Sequence, residues 1–187
     1  MSSTICALAT PPGAGGIAVV RVSGPEAYAV VGEIFTPRNP AKRVAEAKGY
    51  TAMLGHYHLR GEEMDETIAL FFRAPHSYTG EDTAEFQCHG SPVVLRAVLE
   101  AAFSLGARQA LPGEFTKRAF LNGRMDLSGA EAVADIIDAE TAEAARNAAG
   151  QLGGAISRRI DEIYGTLTDI SSHYHAVLDY PDEDIED

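Results

Sequence analysis

The chain has 187 residues and a formal net charge of −12, with 45% hydrophobic and 22% charged residues. These values are typical of a globular chain that buries its own core, and no apolar run is long enough to span a bilayer. The chain stays acidic even without the acid-rich stretch 179–187, so a broad surface for nucleic-acid phosphates is excluded.

The chain contains two cysteines, Cys6 and Cys88, which lie far apart and form no CxxC pair. The N-terminus Met1–Thr4 has no basic region ahead of an apolar stretch, so no secretory signal is visible. Together these features predict reduced thiols in a cytoplasmic protein, without a disulfide framework or a zinc site.

Residues 1 to about 110 mix strand-like runs with two helices. The predicted strands are Ile5–Ala9, Ile17–Val22, Tyr50–Leu59, Glu66–Phe72 and Thr83–His89. A turn at Gly61 predicts that the third and fourth strands form an antiparallel hairpin, and the two-sided apolar pattern of the fourth predicts a central strand. Ser23 and Ser91 are predicted to cap the two helices, the second running to about Leu105, and 36–47 is predicted to be a loop.

From Pro112 onward the pattern is almost entirely helical. A short helix is predicted first, then a longer one that begins with a capping box at Ser128–Glu131. The glycines at 150, 153 and 154 predict a kink or a close helix contact. Apolar residues recur with heptad spacing over 156–177, which favours an intramolecular bundle over an intermolecular coiled coil at this length. The acidic residues 182–187 fit either a tail or a chain that continues after Tyr180-Pro181.

The predicted fold class is therefore α+β. A mixed, largely antiparallel sheet with flanking helices is expected over 1–118, and an all-α segment over 119–187.

The glycine-rich stretch Gly13–Ala18 matches the spacing GxGxx[GA] of a dinucleotide-binding fingerprint. Such a fingerprint opens a helix, whereas these glycines lead into the β-branched run Ile17–Val22. No GxxxxGK[ST] phosphate-binding loop occurs in the chain either. We therefore predict a tight loop here and no nucleotide site.

Arg21 lies in the apolar run Val19–Val22, where a charge is costly unless it is paired. Alternation along Thr83–His89 places Glu85 on a polar face, which suits either solvent or the floor of a ligand site. Glu85 on a neighbouring strand, or an anionic ligand, would satisfy Arg21. A plain buried ion pair is the alternative without a ligand.

Two histidine pairs, His56 with His58 and His173 with His175, lack a third ligand, so we interpret all four as structural and predict no metal site. No Ser-His-Asp or Cys-His arrangement follows from spacing, and no catalytic residue is predicted.

Lys117, Arg118 and Arg124 form a small basic cluster around the first helix of the second half. A solvated face is the default interpretation, and an anion site is the alternative.

Four stretches of the chain resemble one family in order and spacing. They are Thr10–Gly16 with Arg21–Gly24; Ser77–Asp82 with Glu85, His89 and Gly90; Pro112–Thr116 with Arg118–Leu127; and Ala130–Ala139. The chain resembles the TrmE/MnmE family of tRNA-modification GTPases over essentially its whole length, and the third stretch is the most specific.

This resemblance implies an N-terminal domain related to the folate-binding domains of aminomethyltransferases, which forms the homodimer and binds a 5-formyl-tetrahydrofolate-type cofactor. It also implies a helical domain into which a Ras-like G domain is inserted. The whole protein, with a flavoprotein partner of the GidA/MnmG type, is then expected to modify C5 of the wobble uridine in tRNA, and to hydrolyse GTP with potassium and magnesium.

On the same resemblance, the G domain would begin after Asp187, so these residues alone would carry no GTPase site. The heptad seam would also lack the later helices that cover it, and we expect apolar surface to be exposed there.

Carried over residue by residue, the family's folate-contacting positions fall on Arg21, Glu85 and Arg124. A carboxylate such as Glu85 can accept hydrogen bonds from the ring N–H and amino group of a pterin. Arginines can pair with the ligand's carboxylates or carbonyls. Lysine stands at position 124 in some family members, so the contact made by Arg124 can differ in geometry.

Two other functions compete with this one. A free-standing folate-dependent one-carbon transfer enzyme of the aminomethyltransferase type would need an acid–base group beside the folate, and leaves the acidic helical half unexplained. A purely structural helical assembly module leaves Arg21 and the polar strand face without a role.

Overall fold

A computed structural model describes residues 3–59 and 61–179, which divide into two compact units. The first unit ends at Arg124 and the second begins at Met125. The first is built on a β-sheet and the second is helical.

Within the described residues, seven strands form one sheet. They are β1 (Ile5–Leu8), β2 (Gly15–Ser23), β3 (Phe35–Pro37), β4 (Thr51–Leu59), β5 (Glu62–Phe72), β6 (Thr83–Gly90) and β7 (Arg108–Gln109). Their order across the sheet is β3-β4-β5-β6-β2-β1-β7, and every neighbouring pair is antiparallel except β1 with β7. The helices of this unit are α1 (Ala27–Ile34), α2 (Pro92–Ser104) and α3 (Glu114–Leu121), with a 3-10 turn at Val44–Glu46.

The predicted fold class is confirmed: a mixed, largely antiparallel sheet with flanking helices precedes an all-helical segment. β5 lies between β4 and β6, as its two-sided apolar pattern predicted. Ala69 and Phe71 are fully buried in the core shared with α1 and α2, whereas Ile68 on the opposite face is partly exposed.

The predicted hairpin is also confirmed, with Leu59 paired to Glu62 across a turn in which Gly61 has a φ of 86°. β5 begins at Glu62, earlier than the predicted Glu66. The polar residues at its start pair with β4 through backbone hydrogen bonds, which do not depend on an apolar pattern.

Of the two predicted serine caps in the first unit, Ser23 is wrong and Ser91 is confirmed in position only. Ser23 is the last residue of β2, and its hydroxyl is hydrogen-bonded to Thr79 and Glu81 instead of the start of α1. The Thr4 hydroxyl accepts the backbone N–H of Glu26 at 2.9 Å in its place. Ser91 occupies the N-cap position of α2, but its side chain makes no capping hydrogen bond.

Two short strands were missed. β3 lies at the start of the predicted loop 36–47 and pairs with β4, and β7 follows α2 and pairs with β1. Three and two residues are too few to carry a recognisable alternation, so only the partner strands define them.

The second unit contains α4 (Leu127–Ile137), α5 (Ala142–Leu152) and α6 (Ala155–Asp179). The predicted capping box at Ser128–Glu131 is wrong, because the N-cap of α4 is Asp126, whose Oδ1 accepts the N–H of Gly129 at 2.6 Å. Gly153 and Gly154 separate α5 from α6, with Gly154 at a φ of 76°, whereas Gly150 lies within α5.

The heptad residues 156–177 all lie on α6, and their exposed fractions range from 41% at Val177 to 61% at Tyr174. This is the exposed apolar surface that the family resemblance led us to expect. Among the described residues, no helix has the length and apolar character needed to cross a membrane. The acidic stretch 182–187 and the Tyr180-Pro181 step lie outside the described residues.

Candidate functional site

Arg21 and Glu85 face each other across β2 and β6. The antiparallel register pairs the two residues directly, and Arg21 Nε donates to Glu85 Oε1 at 2.6 Å. The neighbours Val20 and Val22 point to the opposite face and are fully buried. Alternation therefore sends the valines into the core and places the arginine on the other face of the sheet. Of the partners considered for Arg21, the structure shows the carboxylate of Glu85 on the adjacent strand, which the interpretation without a ligand also expects.

The pair is half-buried, and part of its hydrogen-bonding capacity is unused. The Arg21 and Glu85 side chains are 22% and 16% exposed. Within residues 3–59 and 61–179, the Nη atoms of Arg21 and Oε2 of Glu85 have no hydrogen-bond partner. An arginine has five N–H donors and a carboxylate has about four acceptor sites. The single hydrogen bond between them therefore leaves the Nη groups of Arg21 as donors next to Oε2 of Glu85 as an acceptor.

Two aromatic rings lie against the Arg21 guanidinium. Its Cζ is 5.0 Å from the centroid of Tyr78 and 5.3 Å from that of Phe115. Tyr78 belongs to the segment that joins β5 to β6, and Phe115 lies in the first turn of α3. The arginine therefore contacts three separate parts of the sheet unit: β6, the β5–β6 segment and α3.

Arg124, the third predicted ligand residue, is held by the same β5–β6 segment. Its Nε donates to the carbonyl of Ser77 at 3.0 Å, and Asn122 Nδ2 donates to the carbonyl of Thr79 at 2.7 Å. Gly80, at a φ of 77°, allows this close approach, since a Cβ there would lie 2.9 Å from the Cβ of Asn122. The structure thus joins Arg21 directly to Glu85, and connects Arg124 to the segment that carries Tyr78.

Arg118 is buried in an ion-pair network that includes Glu81 of this segment. The solvated-face interpretation is therefore wrong for Arg118. Its Nη1 donates to Glu81 at 2.9 Å, and its Nη2 to Glu114 at 3.2 Å. Glu114 also pairs with Arg108, and Glu81 accepts the hydroxyl of Ser23. These bonds tie α3 to the β5–β6 segment. Lys117, one residue earlier, is exposed.

The network lowers the pKa of Glu114 to about 2, mainly through the hydrogen bond from Arg108, with further contributions from the Leu111 N–H and Arg118. A carboxyl whose pKa is depressed in the folded state adds stability above its unfolded pKa, and that stability is lost as the pH falls through the folded pKa.

We therefore expect the difference in free energy of unfolding between wild type and Glu114→Gln to be constant above about pH 5, and to shrink towards about pH 2. Urea denaturation at a series of pH values measures this difference. Glu162→Gln is the matched control, because that carboxylate is 63% exposed on α6 and should show little pH dependence. If the difference in free energy of unfolding between wild type and Glu114→Gln stays constant in acid, the lowered pKa of Glu114 is contradicted.

A cleft of about 560 Å³ adjoins the network and is lined in part by Arg108, Lys117 and Leu121. Arg21, Glu85 and Arg124 do not line it. The arginine–glutamate pair is therefore not part of this cleft.

Two histidines lie beside carboxylates, and both cysteines are buried. His56 Nδ1 lies 2.6 Å from Glu63, and His89 Nδ1 lies 2.6 Å from Asp65. Among the described residues, no group of three potential metal ligands comes together. Cys6 and Cys88 are free and buried, and burial raises their pKa values to about 12 and about 11. Such thiols stay protonated and unreactive at neutral pH.

Sequence reasoning did not assign roles to Tyr78, Glu81 and Phe115. Tyr78 and Glu81 fall in the stretch Ser77–Asp82, and Phe115 in Pro112–Thr116, both of which stood out only through the family resemblance. No local periodicity marks them, because their partners are distant in the chain.

The fold belongs to the α+β class. A unit built on a sheet comes first along the chain, and a helical unit follows it. Comparison with family models assigns both parts. Residues 4–124 match the model "GTP-binding protein TrmE N-terminus", and residues 127–187 match "MnmE helical domain". The chain belongs to the TrmE/MnmE family.

Curated relatives are similar along nearly the whole chain. The tRNA modification GTPase MnmE of Thiobacillus denitrificans is 50% identical over 186 residues, covering 97% of this chain and 39% of the relative. Those of Thermus thermophilus and Parabacteroides distasonis are 48% and 46% identical, covering 100% and 97% of this chain and 43% and 40% of the relatives. The chain thus spans about 40% of the length of the curated relatives it matches.

Proposed function

We propose that this chain is the N-terminal portion of a GTPase that acts with a flavoprotein partner to modify C5 of the wobble uridine in tRNA. In this proposal, the sheet unit binds a 5-formyl-tetrahydrofolate-type cofactor and forms the homodimer. The observation that carries it is the half-buried Arg21–Glu85 pair, which has donor and acceptor atoms left over for a ligand.

The chemistry of the pair suits the pterin ring of a folate. Glu85 Oε2 can accept a hydrogen bond from the ring N–H or the 2-amino group, and the Arg21 Nη groups can donate to the ring carbonyl. A ligand that presents N–H donors next to a carbonyl acceptor would give both Glu85 and Arg21 the hydrogen-bond partners that they lack. Because the pair is already shielded, hydrogen bonds to its charged groups are stronger than they would be in bulk water.

Arg124 would contribute at the other end of the ligand. Its Nε donates to the Ser77 carbonyl, and this hydrogen bond fixes the aliphatic part of the side chain. The Nη groups are then available for a carboxylate or carbonyl of the ligand. A lysine at this position would retain the charge but not the forked geometry.

The remaining activities belong to the whole protein and are proposals for it. Since no GxxxxGK[ST] motif occurs in these 187 residues, we place GTP, potassium and magnesium in a G domain outside them. On the strength of the same family membership, we also propose a cytoplasmic location, a flavoprotein partner of the GidA/MnmG type and tRNA as the substrate. The net charge of −12 supports tRNA contact through the full complex and not through a broad surface of this chain.

The alternative, a free-standing folate-dependent transfer enzyme of the aminomethyltransferase type, is not favoured. The relatives that cover this chain are tRNA modification GTPases, and family models account for both the sheet unit and the helical unit.

Calorimetry with 5-formyl-tetrahydrofolate tests the proposal. We expect wild type to bind, and Glu85→Ala to bind about 10- to 100-fold more weakly, because hydrogen bonds to charged groups contribute about 1.5–3 kcal/mol. Glu66→Ala is the matched control. That carboxylate lies on neighbouring β5 in an exposed pair with Arg38, and its removal should leave the affinity unchanged.

Equal affinity of wild type and Glu85→Ala would remove the site assignment. Circular dichroism of Glu85→Ala separates loss of binding from loss of fold, since Arg21 is left without its carboxylate in that variant.

A further inference from the structure

The packing around Arg21 goes beyond an ion pair. A cation within about 6 Å of a ring centroid is attracted to the face of the ring, and Arg21 meets this criterion twice. Glu85 restrains only the Nε side of the guanidinium. The two rings restrain its plane, which the carboxylate alone would leave free to turn.

The rings are themselves held in place. The Tyr78 hydroxyl lies 2.8 Å from the hydroxyl of Thr116, the residue that follows Phe115. The Arg118–Glu81 ion pair joins the same two segments a second time. Tyr78 and Phe115 are therefore fixed relative to each other before any ligand arrives.

Core packing does not explain these two aromatic residues. Both are only partly buried, and neither belongs to the hydrophobic core that includes Phe35, Phe71 and Phe86. Their shared neighbour is the Arg21 guanidinium, whose Nη groups have no hydrogen-bond partner among the described residues.

We infer that Tyr78 and Phe115 are positioning residues, which hold the Arg21 guanidinium so that its Nη groups meet the carbonyl edge of a planar heterocycle bound at Glu85. This rests on the proposed folate site. Free arginine side chains lose considerable rotamer freedom when a ligand immobilises them, so fixing the guanidinium beforehand removes that cost from binding. The rings act through Arg21, without requiring contact with the ligand.

A double-mutant cycle tests the inference, with 5-formyl-tetrahydrofolate binding to the 187-residue chain measured by calorimetry. Phe115→Leu should weaken binding about three- to tenfold, whereas Phe115→Tyr, which keeps the aromatic face, should stay within about twofold of wild type. In an Arg21→Gln background, Phe115→Leu should cause no further loss, because the arginine through which the ring acts is gone. Thermal melting of each variant confirms that it is folded.

The outcomes separate the two proposals. If wild type does not bind folate, the proposed function fails and this inference fails with it. If wild type binds and Arg21→Gln weakens binding, but Phe115→Leu does not, only the positioning role is overturned. An equal loss from Phe115→Leu in both backgrounds also overturns it, since the ring would then act independently of Arg21.

Side-chain NMR gives a second readout when Arg21→Gln binds too weakly for the cycle. In the ligand-free chain, Phe115→Leu should speed rotation of the Arg21 guanidinium about its Nε–Cζ bond, measured from exchange of the Nη groups, and Phe115→Tyr should not. An unchanged rate of rotation in Phe115→Leu overturns the inference.

Discussion

Replacing Arg118 by methionine should lower the free energy of unfolding of the sheet unit by about 3 kcal/mol or more. The substitution keeps an apolar stem of similar length but removes the guanidinium that bridges Glu81 and Glu114. The three side chains are only 10–13% exposed, so water cannot replace the lost partner well. Glu81 is affected most, because among the described residues its carboxylate then keeps only the Ser23 hydroxyl, whereas Glu114 keeps Arg108.

Urea denaturation followed by tyrosine fluorescence measures this loss. Arg159→Met is the matched control, because Arg159 pairs with Glu162 on α6 in a bridge whose side chains are 76% and 63% exposed. Such surface pairs contribute little, so the control should unfold like wild type. Equal stabilities of the two variants would show that the buried network does not support the fold.

A second substitution tests the cause of the loss. Adding Glu81→Gln to Arg118→Met removes the unpaired charge, so the double variant should be more stable than the sum of the single effects predicts. Simple additivity would indicate that packing of the arginine stem, and not the charge, is responsible.

Phe71→Ala should cost about 3–5 kcal/mol of unfolding free energy. Phe71 is fully buried on central strand β5, and its ring centroid lies 5.4 Å from that of Tyr28 on α1 and 6.4 Å from that of Phe35. Truncation leaves a cavity between the sheet and α1 that this close packing cannot readily fill.

The same urea denaturation measures the effect, with Phe71→Leu as a graded variant that should lose less because it leaves a smaller cavity. Tyr164→Ala removes an aromatic ring that is 71% exposed on α6, and it should change stability by no more than about 0.5 kcal/mol. A Phe71→Ala loss no larger than that of Tyr164→Ala would contradict the placement of the core.

The predictable part of the site was the pair Arg21 and Glu85. A charge inside an apolar run demands a partner, and alternation along a strand shows which side chains share a face. The network around Arg118 was not predictable in the same way. Arg118 lies in a helix whose polar neighbours favour a solvated face, and its burial depends on Glu81 from another segment.

The serine caps show the same limit. Ser23 has the local spacing of a capping residue, but its hydroxyl is used by Thr79 and Glu81, which are more than fifty residues away in the chain. Local propensity was overridden by a tertiary hydrogen bond, as happens where several polar groups are buried together.

The sequence by itself determined the elements with a sustained period, such as β5, α2 and α6, together with the fold class and the family. Periodicity is sufficient there because the spacing of the apolar residues within each element shows both the type of element and which of its faces is apolar. Only the tertiary structure decided the strands β3 and β7, the ion-pair network and the rings beside Arg21. Each of these exists through a partner that is distant in the chain, and no local pattern of residues encodes a partner's position.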